Sequence, residues 1–205
     1  MVRPALLAAF ALVAVFVTFS PAGAAPKIGE PAPAFTVVDS KGTKRSLAEF
    51  AGKTVVLEWS NDGCPFVRKH YDTGNVQALQ RETTATGIVW LTVISSARGM
   101  QGYVEGLEAD ELTTTRKAAP TAVLLDADGK VGRLYDARTT PHMYVIGPDG
   151  RLAYRGAIDD KPTLRHDDVK TADNYVRRAL AAVAAGKPAD PSVTRPYGCS
   201  VKYAD

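Results

Sequence analysis

The sequence predicts an α/β domain, a central sheet containing parallel strands, covered by helices on both faces and closed by an antiparallel hairpin. Three observations carry this. Short apolar runs (Val55-Val56-Leu57, Ile88 to Ile94, Thr121 to Leu125) alternate with longer stretches of helical character. Met143 to Ile146 and Leu152 to Gly156 flank Gly147-Pro148-Asp149-Gly150, a turn that folds two strands into a hairpin. Finally, Trp59-Ser60-Asn61-Asp62-Gly63-Cys64-Pro65-Phe66 joins a buried strand to a helix whose first residue is Pro65.

The elements follow in order. Arg3, the apolar stretch Ala5 to Phe19 and the small-residue site Ala22-Gly23-Ala24 have the form of a secretory signal peptide over residues 1–25. The apolar run falls short of the ~20 residues that span a bilayer, so cleavage is expected rather than anchoring. The mature chain then works in an oxidising compartment, most simply a bacterial periplasm, and meets a membrane only through this segment before cleavage. One domain is expected over residues 26–188. Phe35 to Val38 reads as a strand, Ser40-Lys41-Gly42 as a turn, and Ser46 as the cap of a short helix ending at Phe50. Thr54 to Trp59 is the first long buried strand and Pro65 to Thr83 the first long helix. Gly87 precedes the second strand, and Gly102 to Ala119 reads as a more polar helix. Asp126-Ala127-Asp128-Gly129 turns into a short helix from Lys130 to Asp136. Val169 to Ala185 is the last helix, stopped by Gly186-Lys187-Pro188, and a tail over 189–205 carries Cys199.

Composition narrows the function. A formal net charge of +3, with no basic run, excludes nucleic acid as the expected partner. Two cysteines permit one bridge and no disulfide scaffold. Cys64 lies at the carboxyl end of a strand, where open α/β sheets place their reactive crevice. The positive end of a helix dipole there favours its thiolate.

The residues also resemble a known family. Gly29-x-x-Ala32-Pro33-x-Phe35, Asp39-x-x-Gly42 and Leu47-x-x-Phe50-x-Gly52-Lys53-x-Val55-Val56-Leu57 are similar to the entrance of a redoxin domain. This is the thioredoxin-fold group of alkyl hydroperoxide reductase/thiol-specific antioxidant proteins and periplasmic thiol-disulfide oxidoreductases. Thr140-Pro141 before Tyr144-Val145-Ile146, then Asp149-Gly150-Arg151, resembles its cis-proline loop and closing hairpin. The likeness runs from Ile28 to Ile158. It implies a thioredoxin-like mixed sheet flanked by helices, with Cys64 as nucleophile and the Thr140 backbone beside it to receive an incoming chain. Trp59 and Phe66 are then expected to line the substrate side.

The departures decide the branch. The position three residues after Cys64, a second cysteine in thioredoxins, is Val67. Where typical peroxiredoxins carry a Thr or Ser three residues before the cysteine, a Pro seven before and an Arg opposite, this chain has Asn61, Leu57 and Pro141. The resemblance is therefore to an atypical, peroxiredoxin-like branch. It implies thiol–disulfide exchange with a thiol or disulfide protein substrate and a thiol electron donor. The alternative is thiol-dependent reduction of a peroxide. Neither uses a cofactor or a metal.

Cys199 is the expected resolving cysteine, attacking Cys64 once the latter is oxidised. The competing reading is a permanent Cys64–Cys199 bridge, inert in a binding or adaptor module, worth roughly 4–5 kcal/mol at best by loop closure. Candidate helpers are Glu58, an acidic residue inside an apolar strand, together with Asn61, Arg68 and Arg138. Glu58 is read either as a buried proton relay beneath Cys64 or as a sheet-edge carboxylate. Lys69 is read as a solvated helix position, and Asp159, Asp160, Asp167 and Asp168 as a solvated loop around His166. A third reading, copper handling, rests on Cys64, His70, His142 and Met143, with His142 otherwise a loop residue.

Overall fold

Two buried stripes on each central strand organise the molecule, whose computed structural model describes residues 25–204. The expected signal segment lies outside the described residues, apart from Ala25. Strand β3 (Val55–Trp59) is buried along its whole length. Val55, Leu57 and Trp59 face one core with Phe35, Phe50, Tyr135 and Tyr144. Val56 faces the other, with Cys64, Val67, Trp90, Tyr154 and Val176. This period-two alternation in a wholly apolar run is what a sheet covered on both faces requires. The indole rings of Trp59 and Trp90 are fully buried. At about 25 cal/mol per Å², burying such a ring contributes roughly 4–6 kcal/mol before ordering entropy.

The remaining strands of the seven-stranded sheet are β1 (Thr36–Asp39), β2 (Lys44–Ser46), β4 (Val89–Ile94), β5 (Ala122–Leu125), β7 (His142–Ile146) and β8 (Leu152–Gly156). Their order is β2-β1-β5-β4-β3-β7-β8. Strands β3, β4 and β5 run parallel, while β7 and β8 form the antiparallel hairpin at one side. Strand β6 (Thr139–Thr140) stands apart, paired with β9 (Cys199–Ser200). The fold is thioredoxin-like α/β, as expected.

Several boundaries differ from the expected ones, each for a local reason. The first long helix is two helices, α1 (Pro65–Asp72) and α2 (Asn75–Ala85). The break is at Gly74, whose φ of +74° is the left-handed region that favours glycine. Helix α3 (Gly106–Thr115) starts late because the Glu108 carboxylate accepts the Glu105 amide at 2.9 Å and caps it there. Helix α4 (Lys130–Leu134) is shorter than expected. Helix α5 (Tyr175–Ala184) begins after Asn174, whose side chain accepts the Arg177 amide at 3.0 Å. The stretch His166–Lys170 is a separate 3₁₀ turn. Strand β2 has no apolar signal in its Lys-Arg-Ser text, and it forms at a sheet edge against β1. No described helix is long and apolar enough to cross a membrane.

The tail is pinned along its length. Ser192 and Thr194 exchange backbone hydrogen bonds with Arg155 on the outer edge of β8. Cys199 pairs with Thr140, the Val201 amide donates to the Arg138 carbonyl, and Tyr203 donates to the Ala137 carbonyl at 2.7 Å. The chain thus returns across the ends of β3 and β7.

Candidate active site at Cys64

Cys64 is the N-cap residue of α1, with extended backbone angles. The turn before it is held from several sides. Asn61 accepts the Gly63 amide at 2.8 Å through its side chain and the Cys64 amide at 3.0 Å through its carbonyl. Its amide nitrogen donates to the Gln101 carbonyl at 3.1 Å. Arg68 donates to the Asp62 carbonyl at 2.9 Å, and Arg116 forms an ion pair with the Asp62 carboxylate. The loop thus fixes the backbone of Cys64 at the helix start, where the positive end of the helix dipole favours a thiolate.

Three groups converge on that sulfur. Cys199 Sγ lies 2.6 Å from Cys64 Sγ, the two being unbonded. The Thr140 carbonyl oxygen lies 3.0 Å away, and the Thr140–Pro141 peptide bond is cis. Cys64 is fully buried and Cys199 half-buried. Burial pushes the Cys64 thiol up, but the Cys199 thiol and the Val67 amide at the helix start outweigh it and pull Cys64 below its ordinary value. Burial, reinforced by the adjacent Cys64 sulfur, pushes Cys199 up to about 11. The two thiols are thereby split into a more acidic and a less acidic member.

A second cluster anchors the tail beside them. Tyr197, two residues before Cys199, donates to the Asp159 carboxylate. Its oxygen lies 3.1 Å from His70 Nε2. The Tyr197 ring packs edge-on against Phe66 at 5.7 Å between centroids, with Lys69 Nζ 5.3 Å from its centre. Lys69 is buried and donates to the Lys161 carbonyl at 2.7 Å. The expectations of a solvated Lys69 and a solvated Asp159 are therefore corrected: docking of the tail and of the 159–161 loop encloses both. Burial raises the Asp159 carboxyl, and burial with the nearby Lys69 charge pushes His70 down to about 3.

The other expected site residues are placed as follows. Phe66 borders the site through Tyr197. Trp59, expected on the substrate side, is fully buried beside Tyr135 and Tyr144 and donates to Ser95 at 3.0 Å. It points to the core opposite Cys64, because odd-numbered residues of β3 face that way. The Arg138 guanidinium is exposed and bound to Asp136 at 2.7 Å, and Arg68 holds the Asp62 carbonyl. Neither donates to Cys64. Glu58 is not a sheet-edge carboxylate, since β3 lies between β4 and β7. Its oxygens accept from Trp90 at 2.8 Å, Tyr71 at 2.9 Å, Thr92 at 3.2 Å and Gln80 at 3.3 Å, and none of these partners is Cys64. Burial raises its carboxyl.

The copper set is not assembled. His70 is engaged by Tyr197 and Asn75, and Met143 is buried in the core. His142 is a strand residue, with Nδ1 3.3 Å from the Arg138 amide and 3.2 Å from the Tyr144 hydroxyl. Among the described residues no three His, Cys, Asp or Glu side chains gather as metal ligands.

His142 carries a pH prediction. Burial, aided by Arg155 and Arg138, pushes it from 6.5 down to about 3. Its folded value is depressed, so the unfolded chain binds the proton more readily. This contribution is full above pH 6.5 and is lost as pH falls toward 3. Relative to a His142→Gln variant, the protein should lose roughly 3 kcal/mol of stability between pH 8 and pH 4. Urea unfolding of both at the two pH values measures it; a difference that does not change with pH contradicts it.

Residues 28–155 match the family described as the AhpC/TSA family. No curated protein matches the chain. Among solved structures, an uncharacterized conserved protein from Geobacillus kaustophilus is similar with a TM-score of 0.73 at 23% identity, over 87% of this chain and 93% of that one. A candidate thiol:disulfide interchange protein DsbE from Chlorobium tepidum gives 0.58 at 19% identity, over 78% and 99%. The thioredoxin domain of a thiol-disulfide oxidoreductase from Bacteroides vulgatus gives 0.52 at 21% identity, over 72% and 99%. At such identities the likeness is one of fold.

Proposed function

The chain belongs to the AhpC/TSA family, and on that premise we propose that it is an exported thiol–disulfide oxidoreductase with Cys64 as nucleophile and Cys199 as resolving cysteine. The observation that carries the reading is the split pair, a more acidic Cys64 sulfur at the start of α1, 2.6 Å from a less acidic Cys199 sulfur. The Cys64 thiolate attacks one sulfur of a substrate disulfide, that S–S bond breaks, and the other substrate sulfur leaves as thiolate. Once Cys64 is in the mixed disulfide its charge is gone, so the electrostatic part of what holds Cys199 protonated disappears. Cys199 loses its proton and attacks Cys64, releasing the second substrate thiolate and forming the Cys64–Cys199 disulfide. A thiol donor returns both cysteines to the reduced state. Thr140 and Pro141 border the entry point. Export is supported by Arg3, the Ala5 to Phe19 run and Ala22-Gly23-Ala24.

The peroxidase reading lacks its organising groups. Asn61 and Leu57 stand at the two expected positions, and Arg68 and Arg138 are engaged elsewhere. A Cys199→Ser variant separates the readings. With a disulfide-bonded protein substrate it should hold a Cys64 mixed disulfide roughly a hundredfold longer than the parent, because nothing resolves it. Mass analysis of Cys64 is the measurement. Rapid sulfenic acid formation with peroxide and no trapped partner would replace exchange by peroxide reduction, and a Cys64 inert to both would support the adaptor reading.

A further inference from the structure

The tail is seated where an incoming chain would sit. Cys199 pairs antiparallel with Thr140, the residue whose carbonyl is 3.0 Å from Cys64 Sγ. The residue before it, Gly198, has a φ of +138°. A Cβ there would lie 2.0 Å from the Thr140 carbonyl oxygen and 2.7 Å from its carbon. Backbone cannot retreat as a flexible side chain could, so only glycine fits at that step. The residue before that, Tyr197, fills a niche with two chemistries. Phe66 supplies an apolar wall, and Asp159 with His70 binds the phenolic hydroxyl. A cleft of about 600 Å³ runs on beside it, lined among others by Thr139, Tyr175, Thr194 and Pro196.

We propose that the tail is an internal copy of the substrate, and that the site selects extended chains reading aromatic-Gly-Cys, with tyrosine preferred in the aromatic position. The inference rests on Cys64 being the exchanging thiol, as proposed above. Selection has two parts. The Thr140 backbone rejects any side chain immediately before the cysteine. The niche of Phe66, His70 and Asp159 accepts a ring and pairs its hydroxyl. Chains that bind this way add a strand to β6, gaining main-chain hydrogen bonds while the two preceding residues give specificity. An external chain must displace the tail, which holds its own site by the same contacts at high local concentration.

Synthetic heptapeptides test this with the full chain. The series is Arg-Pro-Tyr-Gly-Cys-Ser-Val and its variants with Ala or Phe for Tyr, and with Ala for Gly, each cysteine joined as a disulfide to thionitrobenzoate. The reduced Cys64 thiolate attacks the peptide sulfur, the S–S bond breaks, and thionitrobenzoate leaves as a coloured thiolate. The product is a Cys64–peptide disulfide, identified by mass. The protein is a Tyr197→Ala/Cys199→Ser variant, in which the niche is vacated and resolution is blocked. The Tyr-Gly-Cys peptide is expected to react about tenfold faster than either alanine variant, with the Phe peptide between them, since ring contact and hydroxyl pairing are lost separately. The single Cys199→Ser variant, whose tail keeps Tyr197, gives the same rank order at lower rates and serves if the double variant does not fold. Rates within twofold across the series overturn the selection while leaving Cys64 as the exchanging thiol. Absence of release from every peptide overturns both.

Discussion

A Cys64→Ser variant will lose thiol–disulfide exchange by at least about a thousandfold while keeping its fold. Serine is a favoured N-cap residue, so α1 keeps its start, and the hydroxyl fits the space of the thiol. The remaining thiol cannot take over. With Cys199 pushed up to about 11, only about one molecule in ten thousand carries its thiolate at pH 7. Removing the neighbouring sulfur relieves part of that elevation, but burial, its largest cause, remains. Cys199 also lies on the tail, without a helix start beneath it. Turnover of a disulfide substrate with a thiol donor is the measurement, and the melting temperature of the variant is the control. Retention of more than a tenth of the parent rate would remove Cys64 from the centre of the chemistry.

A Glu58→Ala variant will lose roughly 3–5 kcal/mol of stability, the largest effect expected outside the thiols. The carboxyl accepts four hydrogen bonds from Trp90, Tyr71, Thr92 and Gln80. Tyr71 and Trp90 belong to the same buried cluster as Cys64. Truncation leaves these donors facing a cavity instead of an acceptor. A Glu58→Gln variant should lose only about 1 kcal/mol, since its carbonyl still accepts from Trp90 and its amide can donate to the Tyr71 oxygen. Because burial raises the Glu58 carboxyl, its stabilising contribution is complete at low pH and declines as pH rises through the folded value. The gap between parent and Gln variant should therefore narrow as pH rises above the ordinary carboxyl value of 4.5. Chemical denaturation of the three proteins checks the order; equal stability of the Ala variant and parent would show that the web adds nothing.

What the sequence made legible was local. Strands β3, β4, β7 and β8 stood out because their apolar runs are bounded by Gly, Pro and Asp turns. Cys64 stood out because a strand-to-helix junction can be recognised from Trp59 to Phe66. Cys199 was the one candidate partner in a chain of two cysteines, and the structure sets its sulfur beside that of Cys64. What escaped depends on contacts between distant segments. Lys69 reads as a surface position on an isolated helix, and only the returning tail and the 159–161 loop enclose it. Asp159 looks like one of several loop acids until Tyr197, 38 residues on, donates to it. Tyr197 did carry a signal, an aromatic two residues before the second cysteine. Trp59 lies away from the expected substrate side because nearness to Cys64 in sequence does not fix which face of β3 a side chain takes. Residues 58 and 59 point to opposite cores.

The pairing of Ser192 and Thr194 with Arg155 has a consequence beyond chemistry. Strand β8 is the last in its sheet, and without the tail its outer backbone amides and carbonyls would be open to another chain. The same segment that carries Cys199 therefore also caps this edge at Arg155, closing it to the addition of another strand there. If substrate displaces the tail as proposed, an opening confined to Tyr197 would leave Ser192 and Thr194 on this edge, whereas release of the whole tail would expose it.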